Sequence, residues 1–441
     1  MWNKLVFSKS ASNRRFIILL IGLVLFSSIF LVRGILGNPL LFGVESYANL
    51  NEASSPTTLF TLLLSFVPVT FHMHLLLVQL GLMLLSLYLL DCVLSELTIR
   101  ERSLALLLFL ISPIALYLTS TITPYLLALT LSLAFILAYE KQHYFLSFLI
   151  AVVLPFVHLF SAILLFLYGL FLLSQEKSAS KKKATIFLIG ILVVFILLVS
   201  GVSISLKTEE SLSPSFFISE FGAVQGYSFL FLFIGLIGLI LSWKKTDLRY
   251  PLLLVLLFLS VINFATRIFV LIALSVFAAK ALDRIIRRRW QVAYVKGLTL
   301  LLIFCTLLFS TLTQIRIEVD HTPVREDLQA YSFLNQQAFR DEQVFTHPSN
   351  QEYLFYYTGL STPEELLTSP EELLSSFKLD NAVYLLEQDR IKYVYLDTAT
   401  KKSWNIEESG LYFLLMNSGR FIRIYQLNST EIYMYLGQEQ S

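Results

Sequence analysis

Five side chains in this 441-residue sequence have types and settings suited to chemistry on a charged substrate. Glu45 lies in Gly43-Val44-Glu45-Ser46-Tyr47, shortly after the first long apolar run. A carboxylate there can take a proton as a general base, or hold a divalent cation such as Mg or Mn. Alone, it equally fits a solvated loop acid. Tyr47 offers a hydroxyl to a sugar or phosphate, or an aromatic anchor at a membrane surface. Glu220 lies in Ile218-Ser219-Glu220-Phe221-Gly222, just before another apolar run, where a helix start favours an acid. Gly222 and Gly226 permit a tight turn behind it. Glu45 and Glu220 are thus the candidate catalytic acids and the candidate metal ligands. Arg267 sits in the short break 263–267 between two apolar runs. Its guanidinium can grip a phosphate with paired hydrogen bonds, or snorkel to the membrane surface. His158, close to Pro155, is a candidate substrate contact or a polar residue at the interface.

The elements that must position these groups are apolar. Hydrophobic residues make up 56% of the chain and charged residues 15%. So little charge cannot cover a water-soluble surface of this size, and so much Leu, Phe and Tyr excludes disorder. A net charge of +2 gives no support for nucleic acid as a partner. Cys92 and Cys305 lie in or beside apolar runs, which fits packed thiols rather than a disulfide framework or zinc site. Phosphate-loop, zinc-protease and serine-hydrolase motifs are absent, so ATP-driven transport and those hydrolyses gain no support.

Apolar runs at 16–32, 72–90, 104–119, 124–139, 185–203, 227–243, 251–265, 268–282 and 298–312 read as membrane spans. The stretch 145–174, with Pro155 inside it, reads as two short spans hinged near Pro155 and His158. The total is about 11 spans. Nineteen Lys and Arg residues fall on alternate breaks, ending with Arg284, Arg287, Arg288, Arg289 and Lys296; the opposite breaks hold Arg33, Lys207 and Arg267. That bias puts the N-terminus inside and, with an odd span count, the tail outside. The first run is expected to be an uncleaved anchor. Polarity changes near Thr313, so residues 1–313 are expected to form a transmembrane domain and 314–441 a small external α/β domain. In the tail, 324–339 reads as a helix, 344–346 and 391–396 as strands, and 421–425 with 431–435 as a hairpin. The expected fold class is mainly α: a polytopic helix bundle in the cell membrane, with an extracytoplasmic C-terminal domain.

The order of the short motifs resembles the GT-C superfamily of membrane glycosyltransferases. It is most similar to prokaryotic relatives of the oligosaccharyltransferase catalytic subunit and of protein mannosyltransferases. The matching residues are Gly43 to Tyr47, Ile218 to Gly222, Asn263 to Arg267, Ile391 to Asp397, and Arg420 to Tyr425. The tail lacks the W-W-D-Y-G motif of oligosaccharyltransferases, and no paired carboxylate follows the third span. The resemblance implies a sugar donor on a polyprenyl phosphate and transfer to an acceptor at the outer membrane face. It also implies Glu45 as the first-loop acid, Glu220 as the later outer-loop acid and Arg267 as a contact to the donor phosphate. Two other classes stay open: a non-catalytic lipid-binding or assembly subunit, and a transporter. The lack of an internal repeat and the small number of ionisable residues inside the predicted spans weigh against the transporter.

Overall fold

The computed structural model describes residues 2–54, 56, 58–66, 72–175, 181–199, 217–221, 223, 225–243, 249–319, 323–339, 342–360 and 370–437. The patch 207–216, with Glu209 and Glu210, lies outside the described residues, as does Gly222. Contacts divide the chain into two units: Met1–Arg33 with Pro56–Asp320, and Gly34–Ser55 with His321–Ser441. The first-loop segment that carries Glu45 and Tyr47 therefore groups with the tail.

The first unit is helical. In hydrocarbon every backbone N–H and C=O must be satisfied within the segment, so apolar runs become helices. In chain order these are α1 (Trp2–Leu36), then, after α2 (Val44–Glu52) of the second unit, α3 (Leu59–Ser65), α4 (His72–Val93), α5 (Ile99–Leu110), α6 (Pro113–Ser120), α7 (Pro124–Glu140), α8 (Tyr144–Val157), α9 (Leu159–Gln175), α10 (Lys181–Val199), α11 (Phe229–Ser242), α12 (Arg249–Ile262), α13 (Phe264–Arg287) and α14 (Ala293–Val319). Among the described residues four helices are long and apolar enough to cross a membrane: Phe16–Leu36, His74–Glu96, Phe264–Arg287 and Tyr294–Val319. Helices of 14 residues, such as α8, α11 and α12, rise only about 21 Å, less than the roughly 30 Å of hydrocarbon.

The run 104–119 is not one straight span. It bends by 57° between α5 and α6, where Ser112 caps and Pro113 opens the new helix. The stretch 145–174 parts at His158, three residues after Pro155. The polarity change at Thr313 does not end a helix: α14 continues to Val319 and buries Gln314 and Glu318. Nor does Arg267 lie in a break. The only non-helical residue there is Asn263, whose Oδ1 accepts the Thr266 N–H at 3.4 Å, and Arg267 is in the first turn of α13.

Helices α11 and α13 meet through small residues. A Cβ on Gly238 would lie 1.9 Å from the Phe277 carbonyl oxygen, and one on Gly235 2.9 Å from Leu274 Cδ2. Such closeness lets van der Waals packing hold two apolar helices together where no hydrophobic effect acts between them. On the outward faces, Phe258, Phe304 and Phe309 are exposed, as a hydrocarbon solvent allows.

The second unit is α/β. It contains α15 (Arg325–Gln337), β1 (Gln343–Phe345), α16 (Gln351–Thr358), α17 (Pro370–Ser375), α18 (Leu379–Gln388), β2 (Ile391–Leu396), α19 (Thr398–Ser403), α20 (Gly410–Asn417), β3 (Phe421–Leu427) and β4 (Thr430–Tyr435). The sheet order is β1-β2-β4-β3, with β1 parallel to β2 and the other pairs antiparallel. Phe345, Leu386, Leu396, Leu411 and Tyr433 belong to its buried core.

Gly238→Val should lower the stability of the helical unit by about 3 kcal/mol, since overpacking a tight contact leaves no relaxed rotamer. Gly81→Ala, with no atom within 4 Å of the added Cβ, is the control and should not lower stability. Thermal unfolding of the two variants in detergent checks the difference.

Candidate functional site

In the first unit the loop before α11 is closed on itself. Phe217 and Ser219 exchange backbone hydrogen bonds with Tyr227: the Tyr227 N–H donates to Phe217 O at 2.8 Å and the Ser219 N–H to Tyr227 O at 2.9 Å. A Cβ on Gly226 would lie 2.8 Å from Phe217 O and from Ser219 N, so only glycine lets the strands of this loop approach. Glu220 occupies a single 3-10 turn in it. Its Oε1 accepts from Ser228 Oγ at 2.8 Å. Its Oε2 accepts from the Phe229 N–H at 2.9 Å and from Ser219 Oγ at 3.2 Å. Phe229 is the first residue of α11, so the carboxylate caps that helix and meets the positive end of its dipole.

Arg267 is fully buried. Its Nε donates to Ser260 O at 2.8 Å, Nη2 to Val261 O at 3.0 Å and Nη1 to Gln225 O at 3.2 Å. Ser260 and Val261 end α12, whose last carbonyls lack partners inside the helix. The guanidinium thus joins the end of α12, the start of α13 and the Glu220 loop, and its carbonyl accepts the Tyr227 hydroxyl at 2.9 Å. Three of its five N–H groups are thus committed to backbone carbonyls.

An aromatic row leads from this loop to His158. Gln225 Nε2 donates to the Tyr117 hydroxyl at 2.8 Å. The Phe264 ring meets Tyr117 and Tyr125 edge-on, with centroids 5.4 and 4.9 Å apart, and Tyr125 meets His158 at 4.8 Å. His158 Nδ1 accepts the Ser161 N–H at 3.1 Å and bonds Ser161 Oγ at 2.8 Å, so the imidazole serves as N-cap of α9. A nitrogen accepting a backbone N–H carries no proton, which puts the proton of the neutral ring on Nε2. The Glu220 loop, Arg267 and His158 are therefore linked by one run of contacts, through the loop backbone at Gln225 and through the aromatic row.

Two groups here were not singled out in the sequence. Glu318, fully buried near the end of α14, accepts from Gln314 Nε2 at 2.7 Å and Ser120 Oγ at 3.2 Å. Arg33 Nη1 donates to the carbonyls of Glu318 and Val319 at 3.0 and 2.8 Å. An acid inside a membrane-length helix was the available signal for Glu318.

Glu45 and Tyr47 belong to the second unit. Gly43, at φ 83°, starts α2, and Glu45 lies in its first turn, half-buried. Tyr47 is fully buried rather than presented to solvent. Its hydroxyl bonds the Leu41 carbonyl at 3.1 Å and the Tyr357 hydroxyl at 2.8 Å, and the Tyr353 and Tyr356 rings pack edge-on against it. Burial and the neighbouring phenols hold its hydroxyl far above the ordinary range. Tyr331 stacks on Tyr357 at 5.7 Å and tilts on Tyr395 at 5.3 Å, and the Tyr395 hydroxyl donates to Asp327 Oδ1 at 2.8 Å. Burial pushes the Asp327 carboxyl up to about 6, opposed by the Val324 N–H that its Oδ2 accepts at 3.0 Å.

Among the described residues no three His, Cys, Asp or Glu side chains gather as metal ligands. The Glu220 oxygens already accept three protein hydrogens. Among the described residues, nothing beside Glu220 completes a metal-binding set.

No protein-family profile matches the sequence, and no characterised protein matches it by sequence. Solved structures do match. The apo oligosaccharyltransferase of Archaeoglobus fulgidus aligns with a TM-score of 0.61 at 12% identity, over 97% of this chain and 75% of that one. The same enzyme in complex with Zn and sulfate aligns at 0.54 with 13% identity, over 95% and 73%. ArnT from Cupriavidus metallidurans bound to undecaprenyl phosphate aligns at 0.53 with 12% identity, over 95% and 97%. The GT-C resemblance read from the sequence is thus shown as a fold.

Arg267→Lys should cost about 2 kcal/mol, because one ammonium cannot reach all three carbonyls and buried acceptors are left without donors. A lowered melting point with Arg267→Lys, against an unchanged one with Lys296→Ala, checks this. Asp327 gives a second test. An acid whose folded pKa lies above its unfolded value, near 3.9, favours the folded state when protonated. Protection of β2 amides from hydrogen exchange should therefore rise as pH falls from 7.5 through 6 towards 4.5, and Asp327→Asn should flatten that dependence.

Proposed function

We propose that this chain is a membrane glycosyltransferase that moves a sugar from a polyprenyl-phosphate-linked donor to an acceptor at the outer membrane face. The likeness that carries this reading is fold-level similarity over 95–97% of the chain to an oligosaccharyltransferase and to ArnT bound to undecaprenyl phosphate. In this reading the nucleophilic atom of the acceptor attacks the anomeric carbon of the sugar. Glu45 takes the acceptor proton, and the bond to the phosphate oxygen breaks, with its electron pair leaving on the polyprenyl phosphate. Donors that favour charge on that oxygen lower the barrier. Nε2–H of His158 is one such donor, and Arg267 contributes either as a phosphate contact or by holding the Glu220 loop in place. Tyr47 orients α2, and with it Glu45, through its buried hydroxyl. Glu220 keeps the start of α11 ordered beside the loop and takes the role of the later outer-loop acid. The membrane domain is read as 1–313, with an N-terminus inside and the domain 314–441 outside.

One observation favours a non-catalytic lipid-binding subunit: the carboxylate of Glu220 is fully engaged as a helix cap. Transfer assays separate the two. In membranes given a radiolabelled polyprenyl-phosphate hexose, Glu45→Gln should reduce transfer to endogenous acceptors by about 10²-fold or more, with normal insertion. Full transfer by that variant would remove Glu45 from the reaction. No transfer by the unaltered chain would favour the subunit reading.

A further inference from the structure

We infer that the second unit carries a saccharide-binding groove between the turn after α17 and one face of α18. The groove has a volume of about 600 Å³ and is lined by Ser375, Ser376, Phe377, Lys378, Asn381 and Tyr384. That size suits a short oligosaccharide.

The chemistry of the lining selects the ligand. Phe377 and Tyr384 are 66% and 65% exposed, the state a core aromatic avoids. Asn381 and Tyr384 lie three residues apart on α18, Lys378 is its extended N-cap, and Phe377 precedes it in the turn. Among the described residues, the amide of Asn381 and the ammonium of Lys378 have no hydrogen-bond or ionic partner, and neither exposed ring is paired with another ring. Two uncommitted rings, one amide with both donor and acceptor, and one cationic donor are what a pyranose needs. Its C–H face packs on an aromatic ring, while adjacent hydroxyls pair with an amide. A purely apolar partner would leave Asn381 and Lys378 desolvated without partners, at a cost.

The groove is built rather than incidental. Ser376 Oγ donates to the Lys378 carbonyl at 3.2 Å, which tightens the turn. A Cβ on Gly410 would lie 2.5 Å from Ser376 O, so the start of α20 supports the turn from behind only because that residue is glycine. Beneath α18, Ala382, Val383 and Leu386 are buried in the core of the unit, which fixes the helix that presents Asn381 and Tyr384.

This inference does not require Glu45 to be catalytic, and its test separates the two. The full chain is purified in lauryldimethylamine oxide, a detergent without a sugar headgroup. Mannotriose, triacetylchitotriose and trigalacturonate are each examined by saturation-transfer difference NMR. At least one should receive saturation on its ring C–H protons. Tyr384→Ala and Asn381→Ala should each weaken that ligand about tenfold or more, while Glu45→Gln binds as the unaltered chain does. Hydrogen exchange of α18 shows that the variants stay folded. Absence of binding by all three probes, or unchanged binding by Tyr384→Ala, overturns the groove. Capture of the chain on phosphatidylglycerol vesicles that depends on Phe377 and Tyr384, without saccharide binding, also overturns it and makes this face a membrane contact.

Discussion

The helical unit turns on a buried cation paired with a helix end, most fully at Arg267. Arg267 carries its charge at a fully buried position and satisfies it with carbonyls from two segments. Burying an isolated guanidinium is costly, so the position is stable only while those carbonyls stay in place. The same contacts supply partners to the last turn of α12, which a helix cannot satisfy internally. The cation and the helix end therefore need each other. The Glu220 loop inherits its location from that pair, because Gln225 O is the third acceptor and the Tyr227 hydroxyl returns to the Arg267 carbonyl.

A similar economy of polar groups shapes the rest of the unit. Gln79 Nε2 donates to the carbonyls of Leu118 and Thr121, both at 2.7 Å, and so satisfies the end of α6. Arg33 does the same for the end of α14. Each is a polar side chain in an apolar setting, and each is matched to carbonyls that a membrane would leave without hydrogen-bond donors. Glu318 completes the set: its two oxygens are held by Gln314 and Ser120. Ser120 and Tyr117 share α6, so the acid at the end of α14 bears on the helix that meets Gln225.

The second unit solves a different problem. A short helix from the first loop, α2, must be held by a domain whose other residues follow nearly three hundred positions later. Phenols provide the joint: Tyr47, Tyr357, Tyr331 and Tyr395 run in sequence to Asp327, and Asn51 Nδ2 adds a bond to Glu352 Oε2 at 2.7 Å. Aromatic rings bury large apolar area and keep one polar tip for a hydrogen bond, so they can form such a joint with most of its hydroxyls paired; the buried Tyr331 hydroxyl is the exception.

Hydropathy by itself determined that the chain is a set of apolar helices with a smaller α/β tail. The helices follow from backbone groups that hydrocarbon cannot satisfy, and β2 was legible from its run of β-formers, Ile391–Leu396. Spacing also marked Glu220, Arg267 and His158 as polar residues against an apolar background. What it could not show is what each one touches. Only the tertiary structure decided that Arg267 lies inside α13 and donates to carbonyls, that Glu220 and His158 cap helices, and that Tyr47 is interior. It also decided that Gly34–Ser55 groups with the tail, through contacts between residues some three hundred positions apart. Local periodicity records which face of a segment is apolar. It carries no record of which distant carbonyl or phenol will meet a given polar side chain, because that is set by the packing of other segments.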